Sequence, residues 1–204
     1  MQKAFKPMII GITGASGSIY GIRLLETLRR LKIETHLVMS DSSKMTLRSE
    51  TEFKIQDVTQ LATYVHHYKN IGAIISSGSF ITAGMIIAPC SMHTLSEISV
   101  GISSNLISRS ADVILKERRR LVLLTRETPL HAGHIRAMGR ATENGAIIMP
   151  PVPAFYAKPK TLDDIVNYTV MRCLDLFEIH TDEQKRWQGF NHLPSEEGIS
   201  AEKL

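Results

Sequence analysis

The chain has little of what disulfide scaffolds, zinc sites and membrane proteins depend on. Its 204 residues include two cysteines and one tryptophan. Cys90 and Cys173 stand far apart in the sequence, and neither belongs to a Cys-x-x-Cys pair. This argues against a disulfide framework or a zinc site, and it favours a reducing, cytoplasmic setting. No apolar run approaches the roughly 20 residues of a membrane-spanning helix, and the N-terminus has no signal-peptide pattern. We therefore expect no membrane span.

A strong excess of charge of either sign is also missing. Lysine and arginine number 24 against 20 acidic residues, which gives a net charge of +4. The one dense basic cluster is residues 116–120, and no basic strip is interleaved with aromatic residues. Nucleic acid is therefore not an expected partner, whereas a small ligand that carries a phosphate would suit this mild positive balance.

Apolar segments of strand length alternate with segments of helical period along the whole chain. The pattern predicts strands at 8–13, 35–40, 84–91, 121–127 and 146–150. It predicts helices after the first two strands and at 58–65, 92–94 and beyond, 104–119, 129–145 and 161–179. Such alternation is typical of one α/β domain with a doubly wound, mostly parallel sheet.

Small polar or charged residues follow four of the predicted strands. Because ligands of open parallel sheets bind beyond the carboxyl ends of the strands, this pattern predicts a ligand site there. The residues at the four strand ends are Gly14, Ala15 and Ser16; Ser40; Cys90 and Ser91; and Arg126 and Glu127.

The turn after the first strand is rich in glycine but is not a dinucleotide fingerprint. Gly11, Gly14 and Gly17 are spaced by three, whereas the fingerprint is G-x-G-x-x-G. The turn could present N–H groups to a phosphate at a helix N-terminus, or it could be an ordinary tight turn. Ser16 could likewise be an N-cap or a catalytic hydroxyl. The residues by themselves leave both alternatives open.

Other polar residues also have two interpretations. Ser91 and Thr94 could cap the next helix or hold a phosphate. Cys90 follows a proline, with no histidine placed to activate it, so a buried apolar role is favoured over a nucleophile. Arg126 and Glu127 directly follow an apolar strand, and we expect this charged pair at the edge of the sheet where ligands bind.

Several segments, taken in order, resemble the UbiX-type flavin prenyltransferases. The similarity extends from about residue 8 to residue 187, and its most specific part is the long segment around residues 104–130 together with the later Ala-Phe-Tyr. We assign residues 1–187 to this domain and residues 188–204 to a C-terminal tail. The segments are GITGASGSIYG, SETEF, APCSMHTL, SNLISRSADVILKERRRLVLLTRETPL, PPVPAFY and RW.

The resemblance implies a flavodoxin-like Rossmann fold that assembles as a dodecamer with sites at subunit interfaces. It also implies a reaction without metal, in which a dimethylallyl group passes from dimethylallyl monophosphate to reduced FMN. A fourth ring closes across N5 and C6 of the flavin, phosphate leaves, and a UbiD-type decarboxylase receives the product.

The resemblance also assigns roles by position. It implies FMN contacts at Gly14, Ala15, Ser16, Ser40, Ser91, Met92, His93, Thr94 and Arg126. It implies contacts with the prenyl donor at Arg109, Lys116, Tyr156 and Arg172, closure of the site by Trp187, and proton handling by Ser16, Glu50 and Glu127. Without the resemblance, Glu50 would be interpreted as a surface carboxylate at a helix end. Arg109 and Lys116 would be interpreted as solvated residues on one face of a helix.

Two departures from the family pattern and two rival functions remain. The departures are HAGHIRAM at 131–138 and a short SSGSFITAG loop, which could alter the prenyl pocket. One rival is a flavin-dependent decarboxylase of the cysteinyl type, which the PCSMHT segment and the Arg126-Glu127 pair disfavour. The other is a flavin carrier without activity, which would not need the prenyl-phosphate residues.

Overall fold

The computed structural model describes residues 5–181, which form a sheet with helices on both faces. The strands are β1 (Met8–Ile12), β2 (Thr35–Met39), β3 (Tyr64–His66), β4 (Gly84–Cys90), β5 (Arg120–Thr125) and β6 (Ala146–Ile148). The helices are α1 (Ser18–Arg30), α2 (Asp41–Glu50), α3 (Ile55–Thr59), α4 (Met92–Val100), α5 (Leu106–Lys116), α6 (Ala132–Glu143) and α7 (Leu162–Asp175). Short 3₁₀ turns lie at Ile74–Ser76 and Phe155–Ala157.

The sheet confirms the predicted doubly wound architecture. Its strand order is β3-β2-β1-β4-β5-β6, and every pair of neighbouring strands is parallel. This is the classical Rossmann order, and without the three-residue edge strand β3 it becomes the flavodoxin-like order. The order reverses between β1 and β4, so the ligand crevice of such a sheet lies beyond the carboxyl ends of these two strands.

Both faces of the sheet are buried, as continuous apolar strands predict. Ile10 of β1 belongs to a core with Leu25 of α1 and Val170 of α7. The next residue back along the strand, Ile9, belongs to a second core with Ile107 of α5. Successive residues of a strand point to opposite faces, so α1 and α7 cover one face, whereas α4 and α5 cover the other.

The structure corrects the prediction of a helix at 58–65. The helix ends at Thr59, and Tyr64–His66 form β3 on the edge of the sheet. Thr35 and Thr63 exchange two hydrogen bonds, each hydroxyl accepting from the other residue's N–H at 3.1 Å. Pairing with β2 therefore overrides the local helical periodicity. Helix α5 also ends three residues earlier than predicted, since Arg118 has a left-handed backbone with φ 55°.

Helix α1 lies unusually close to β4. A Cβ atom added at Gly21 would meet the carbonyl oxygen of Ala88 and would come within 2.8 Å of Cδ1 of Ile12. Only a residue without a side chain allows this approach. The close packing brings the start of α1 up to the crevice between β1 and β4.

We expect Gly21→Ala to destabilise the protein by about 1–3 kcal/mol, the usual cost of overpacking a core. At this chain length that corresponds to a fall of roughly 2–4 °C in melting temperature for each kcal/mol. Gly139→Ala in α6 is the matched control, because a Cβ there meets nothing within 4 Å. Thermal denaturation followed by circular dichroism measures both variants. Equal melting temperatures for the two variants would contradict the packing argument.

Candidate flavin and prenyl-phosphate site

The predicted strand ends lie along one edge of the parallel sheet, which we call the rim; it consists of residues 14–16, 40, 90–91 and 126–127. Thr13 connects two of these strand ends. The buried Thr13 hydroxyl donates to the carbonyl oxygen of Pro89 at 2.7 Å and accepts from the N–H of Ser91 at 2.8 Å. It therefore fastens the end of β1 to the end of β4 at the point where the strand order reverses. The sequence analysis missed Thr13; its signal was a polar residue that closes an apolar strand just before the glycine turn.

The glycine turn packs tightly against the start of α2. A Cβ atom at Gly14 would lie 2.5 Å from Oγ of Ser42, and the hydroxyl of Thr46 donates to the Gly14 carbonyl at 3.2 Å. The buried Ser40 side chain caps α2 by accepting from the N–H of Ser43 at 3.0 Å. Ser40 thus has a structural role at the same rim where the resemblance assigns it a flavin contact.

Glu50 is not a plain surface carboxylate, because it binds the start of α1. Its Oε2 accepts from the N–H groups of Gly17 at 2.9 Å and Ser18 at 3.1 Å. The N-cap of α1 is Gly17, which has no side chain to cap with, so the N-cap interpretation of Ser16 is wrong. The carboxylate of Glu50 takes the place that an N-cap side chain would have.

The environment of Glu50 keeps its carboxyl group ionised. Partial burial is the largest single influence and raises the pKa, but the Ser16 hydroxyl, the two amides and the charge of Arg126 together lower it below its ordinary value of 4.5. The carboxylate also satisfies two amides that a flavin phosphate could have used. A phosphate at this turn would therefore bind Gly14, Ala15 and Ser16 rather than the first turn of α1.

The first turn of α4 forms the opposite side of the rim. The Ser91 side chain caps α4 by accepting from the N–H of Thr94 at 3.3 Å, and its hydroxyl donates to Oγ1 of Thr94 at 3.2 Å. Met92 is half-buried, and the His93 ring is exposed, with Nε2 3.8 Å from Oε1 of Glu97. The capping interpretation of Ser91 is confirmed. Ser91 directly follows β4 and therefore also lies at the crevice between β1 and β4.

The end of β5 adds one cation and one carboxylate to the rim. The N–H of Arg126 donates to the carbonyl oxygen of Cys90 at 3.2 Å. Both Arg126 and Glu127 are exposed, and Oε1 of Glu127 accepts from the N–H of Thr128 at 3.0 Å. The Cys90 thiol is fully buried, and burial raises its pKa. This supports the apolar role of Cys90 and the rim position of Arg126 and Glu127.

Tyr156 contacts α7, and Arg172 is an exposed residue of the same helix. The hydroxyl of Tyr156 is hydrogen-bonded to that of Tyr168, which is on the same helix as Arg172. After α7, Phe177 packs against the position of Gly84, the first residue of β4. The last turns of α7 therefore lie toward the amino-terminal edge of the sheet.

Arg109 and Lys116 lie on α5, across the sheet from α7. Arg109 pairs with Asp112 at 2.8 Å. Lys116 is hydrogen-bonded to Glu117 at the end of α5, just before β5 begins. One chain therefore does not bring Arg109 and Lys116 to Tyr156 and Arg172. Trp187, the predicted closing residue, lies outside the described residues.

The SSGSFITAG loop also lies at the amino-terminal edge of the sheet. Both terminal nitrogens of the Arg119 guanidinium donate to the loop at 2.6 Å, one to the carbonyl of Phe80 and one to that of Gly78. Arg119 directly precedes β5. Within one chain this loop is therefore remote from the rim that holds Ser16 and Arg126.

Comparison with known proteins identifies the family of the chain. A profile of the flavoprotein family matches residues 1–174. The flavin prenyltransferase UbiX of Thauera aromatica is 57% identical over 182 residues, which cover 89% of this chain and 94% of the relative. The chain belongs to the UbiX-type flavin prenyltransferases, within the flavoprotein family.

Solved structures give the same result. A UbiX protein in complex with FMN and dimethylallyl pyrophosphate has a TM-score of 0.90 at 49% identity and covers 91% of this chain and 99% of its own. A dodecameric FMN-dependent UbiX-like decarboxylase from Escherichia coli O157:H7 has a TM-score of 0.88 at 47% identity, with 90% and 100% covered. The FMN-dependent cysteine decarboxylase SpaF shares only the fold, at 13% identity. Within residues 5–181 no helix has the length and apolarity to span a membrane.

We expect Glu50→Gln to lower the melting temperature at pH 7, because the ionised carboxylate binds the α1 amides more strongly than an amide oxygen does. A carboxyl group whose pKa is lower in the folded than in the unfolded protein contributes stability when the pH is above its unfolded pKa. That contribution is lost as the pH falls through its folded pKa. The difference in melting temperature between wild type and Glu50→Gln should therefore narrow below about pH 4.5, the ordinary pKa of a glutamate carboxyl group. Melting curves between pH 7 and pH 3.5 measure it.

Glu143→Gln, at the exposed end of α6, is the control and should show no such pH-dependent gap. A gap for Glu50→Gln that stays constant from pH 7 to pH 3.5 would mean that the charge of Glu50 does not stabilise α1.

Proposed function

We propose that the chain is a flavin prenyltransferase that joins a dimethylallyl group to reduced FMN. The C–O bond of dimethylallyl monophosphate breaks and phosphate leaves as the dimethylallyl group bonds N5 of the flavin, which loses its proton. The alkene of that group then takes up a proton and bonds C6, which loses its proton in turn. The observation that carries this proposal is the 57% identity to a named flavin prenyltransferase over 89% of the chain. We further propose a cytoplasmic enzyme whose product serves a UbiD-type decarboxylase.

The donors at the rim fit FMN. The crevice offers hydroxyls at Ser16, Ser40 and Ser91 and a guanidinium at Arg126, while the Glu50 carboxylate is engaged by α1. Such groups bind phosphate esters and flavin carbonyls by hydrogen bonding. Reduced FMN would supply the nucleophilic nitrogen and ring carbon, and these rim residues, with Glu127 among them, would hold it.

The prenyl-phosphate residues lie on both faces of the sheet, so we propose that neighbouring copies complete the site. Arg109 and Lys116 would come from the α5 surface of one copy, whereas Tyr156 and Arg172 would come from the α7 surface of another. The three cations would supply the positive charge that stabilises a departing phosphate without a metal ion, and Tyr156 would add a hydroxyl donor.

The described residues also expose several large apolar side chains, and such side chains mark protein–protein contacts where they cluster. Such side chains lie near both surfaces and in the groove between α4 and α6. More than half of each is accessible for Val100, Ile102, Ile135, Val152, Phe155 and Leu162. This pattern supports an oligomer, and a related structure is dodecameric.

Of the two carboxylates among the three candidate proton carriers, Glu127 is the better placed. Glu50 is ionised but already accepts hydrogen bonds from two amides of α1. Glu127 lies at the rim and is exposed, as Glu50 is, but among the described residues its one hydrogen-bond partner is the N–H of Thr128. We assign the acceptance of a proton during ring closure to Glu127, with Glu50 holding Ser16 and the start of α1 in position.

We expect the purified protein to convert reduced FMN and dimethylallyl monophosphate into a flavin heavier by one prenyl unit. Anaerobic incubation with EDTA, followed by mass spectrometry of the released flavin, measures it. A parallel reaction with dimethylallyl pyrophosphate identifies the preferred donor. An unchanged flavin mass with bound FMN would favour a flavin carrier. Loss of product in EDTA that Mg²⁺ restores would contradict a metal-free reaction.

Glu127→Gln should slow product formation by about 10²–10⁴-fold, the usual contribution of a general base. The amide keeps the size of the side chain but cannot accept the proton. Binding of FMN and of the donor should stay within twofold of wild type, measured by calorimetry. Near-normal turnover would remove Glu127 from the chemistry and transfer the proton role to Glu50.

A further inference from the structure

Tyr156 and Arg172, the residues proposed to bind the donor beside α7, each contact a further residue of that helix. Tyr156 is hydrogen-bonded through its hydroxyl to Tyr168. Arg172 donates from Nη1 to Oδ2 of Asp175 at 2.7 Å. Tyr168 and Asp175 lie within α7 itself, whereas Tyr156 is in the loop before it. Helix α7 therefore provides a hydrogen-bond partner for Tyr156 and for Arg172.

Asp175 is placed to hold the Arg172 guanidinium. Its side chain is 8% exposed, against 48% for Arg172. The other carboxylate oxygen, Oδ1, accepts from Nδ1 of His180 at 2.9 Å, so both oxygens have a partner, as a buried carboxylate requires. A guanidinium has five N–H donors, and the bond to Asp175 uses one of them. The others can bind a phosphate.

Tyr168 is placed to orient the Tyr156 hydroxyl. Burial is the main cause that raises the pKa of Tyr168, and the Tyr156 hydroxyl adds to it, so the phenol stays neutral and keeps its proton. The Tyr156 ring itself is more than half exposed. The bond holds the Tyr156 hydroxyl in place, and a hydroxyl that accepts from a neutral phenol becomes a stronger donor, because hydrogen bonds in a chain polarise one another.

We propose that Tyr168 and Asp175 are positioning residues for the prenyl phosphate, acting through Tyr156 and Arg172 respectively. They hold a hydroxyl donor and a guanidinium in one orientation before the donor binds, so that less side-chain freedom is lost on binding. This inference rests on the proposed function for the identity of the ligand. It adds two residues that the resemblance did not assign.

Tyr168→Phe tests the first half of the proposal, that Tyr168 positions Tyr156. The Kd of dimethylallyl monophosphate for the FMN-loaded protein, measured by calorimetry, should rise about threefold to tenfold, the cost of ordering one side chain. Tyr156→Phe should also weaken binding, and the double variant should bind as Tyr156→Phe does, because Tyr168 acts only through Tyr156. An additive loss in the double variant, or a Kd equal to wild type in Tyr168→Phe, would overturn this half.

Asp175→Asn tests the second half of the proposal, that Asp175 positions Arg172. It should raise the same Kd by about threefold to tenfold, and Asp175→Glu should recover part of the loss, since a carboxylate can again pair with Arg172. In an Arg172→Ala background, Asp175→Asn should change nothing further. Tighter donor binding in Asp175→Asn would show that the carboxylate mainly repels the phosphate, and would overturn the proposal.

Asp163→Asn is the matched control, since Asp163 is also on α7 but pairs with Arg23 of α1 at 2.8 Å. It should leave the Kd of the donor unchanged. The Kd of FMN and the melting temperature should stay close to wild type in Tyr168→Phe. A parallel loss of FMN binding would indicate a structural role instead.

The outcome for the proposed function is read separately, from the mass of the flavin that the wild type releases. If the wild type binds the donor but forms no product, the proposed function fails, and the Kd series still decides the positioning roles. If the wild type binds no donor, both proposals fail.

Discussion

The bond between the Glu50 carboxylate and the first amides of α1 organises the candidate site. It joins the end of α2 to the start of α1, orients Ser16 and brings a fixed negative charge near Arg126. A helix N-terminus that follows a glycine turn ordinarily attracts an external anion. Here the protein supplies its own anion, which leaves the hydroxyls and Arg126 for the ligand.

The second constraint is the placement of helices on opposite faces of a parallel sheet. Strands that run in the same direction require a crossover after each strand, and because these crossovers are right-handed, the helices that link β1 to β3 cover one face and those that link β4 to β6 the other. Helix α7, after the last strand, packs on the same face as α1. This puts Lys116 on one side and Arg172 on the other. The sheet itself therefore separates Arg109 and Lys116 from Arg172 within one chain, and the proposed donor site needs a neighbouring copy to bring them together.

Local patterns predicted the parts of the fold that depend on near neighbours. Buried parallel strands have continuous apolar sequences, so β1, β2, β4 and β5 were recognised close to their true bounds. Edge strand β3 was mistaken for a helix, because its three residues carry no strand pattern and pairing with β2 decides their conformation. The polar rim was predicted because all parallel strands end at one edge.

The sequence by itself determined the α/β class, the rim of polar strand ends and the family, since these depend on periodicity and on the order of motifs. The tertiary structure decided the roles that depend on distance. It showed that Glu50 and not Ser16 caps α1, that Thr13 joins β1 to β4, and that Tyr168 and Asp175 support Tyr156 and Arg172. Residues far apart in the chain meet only through packing, and no local pattern records which of them will do so.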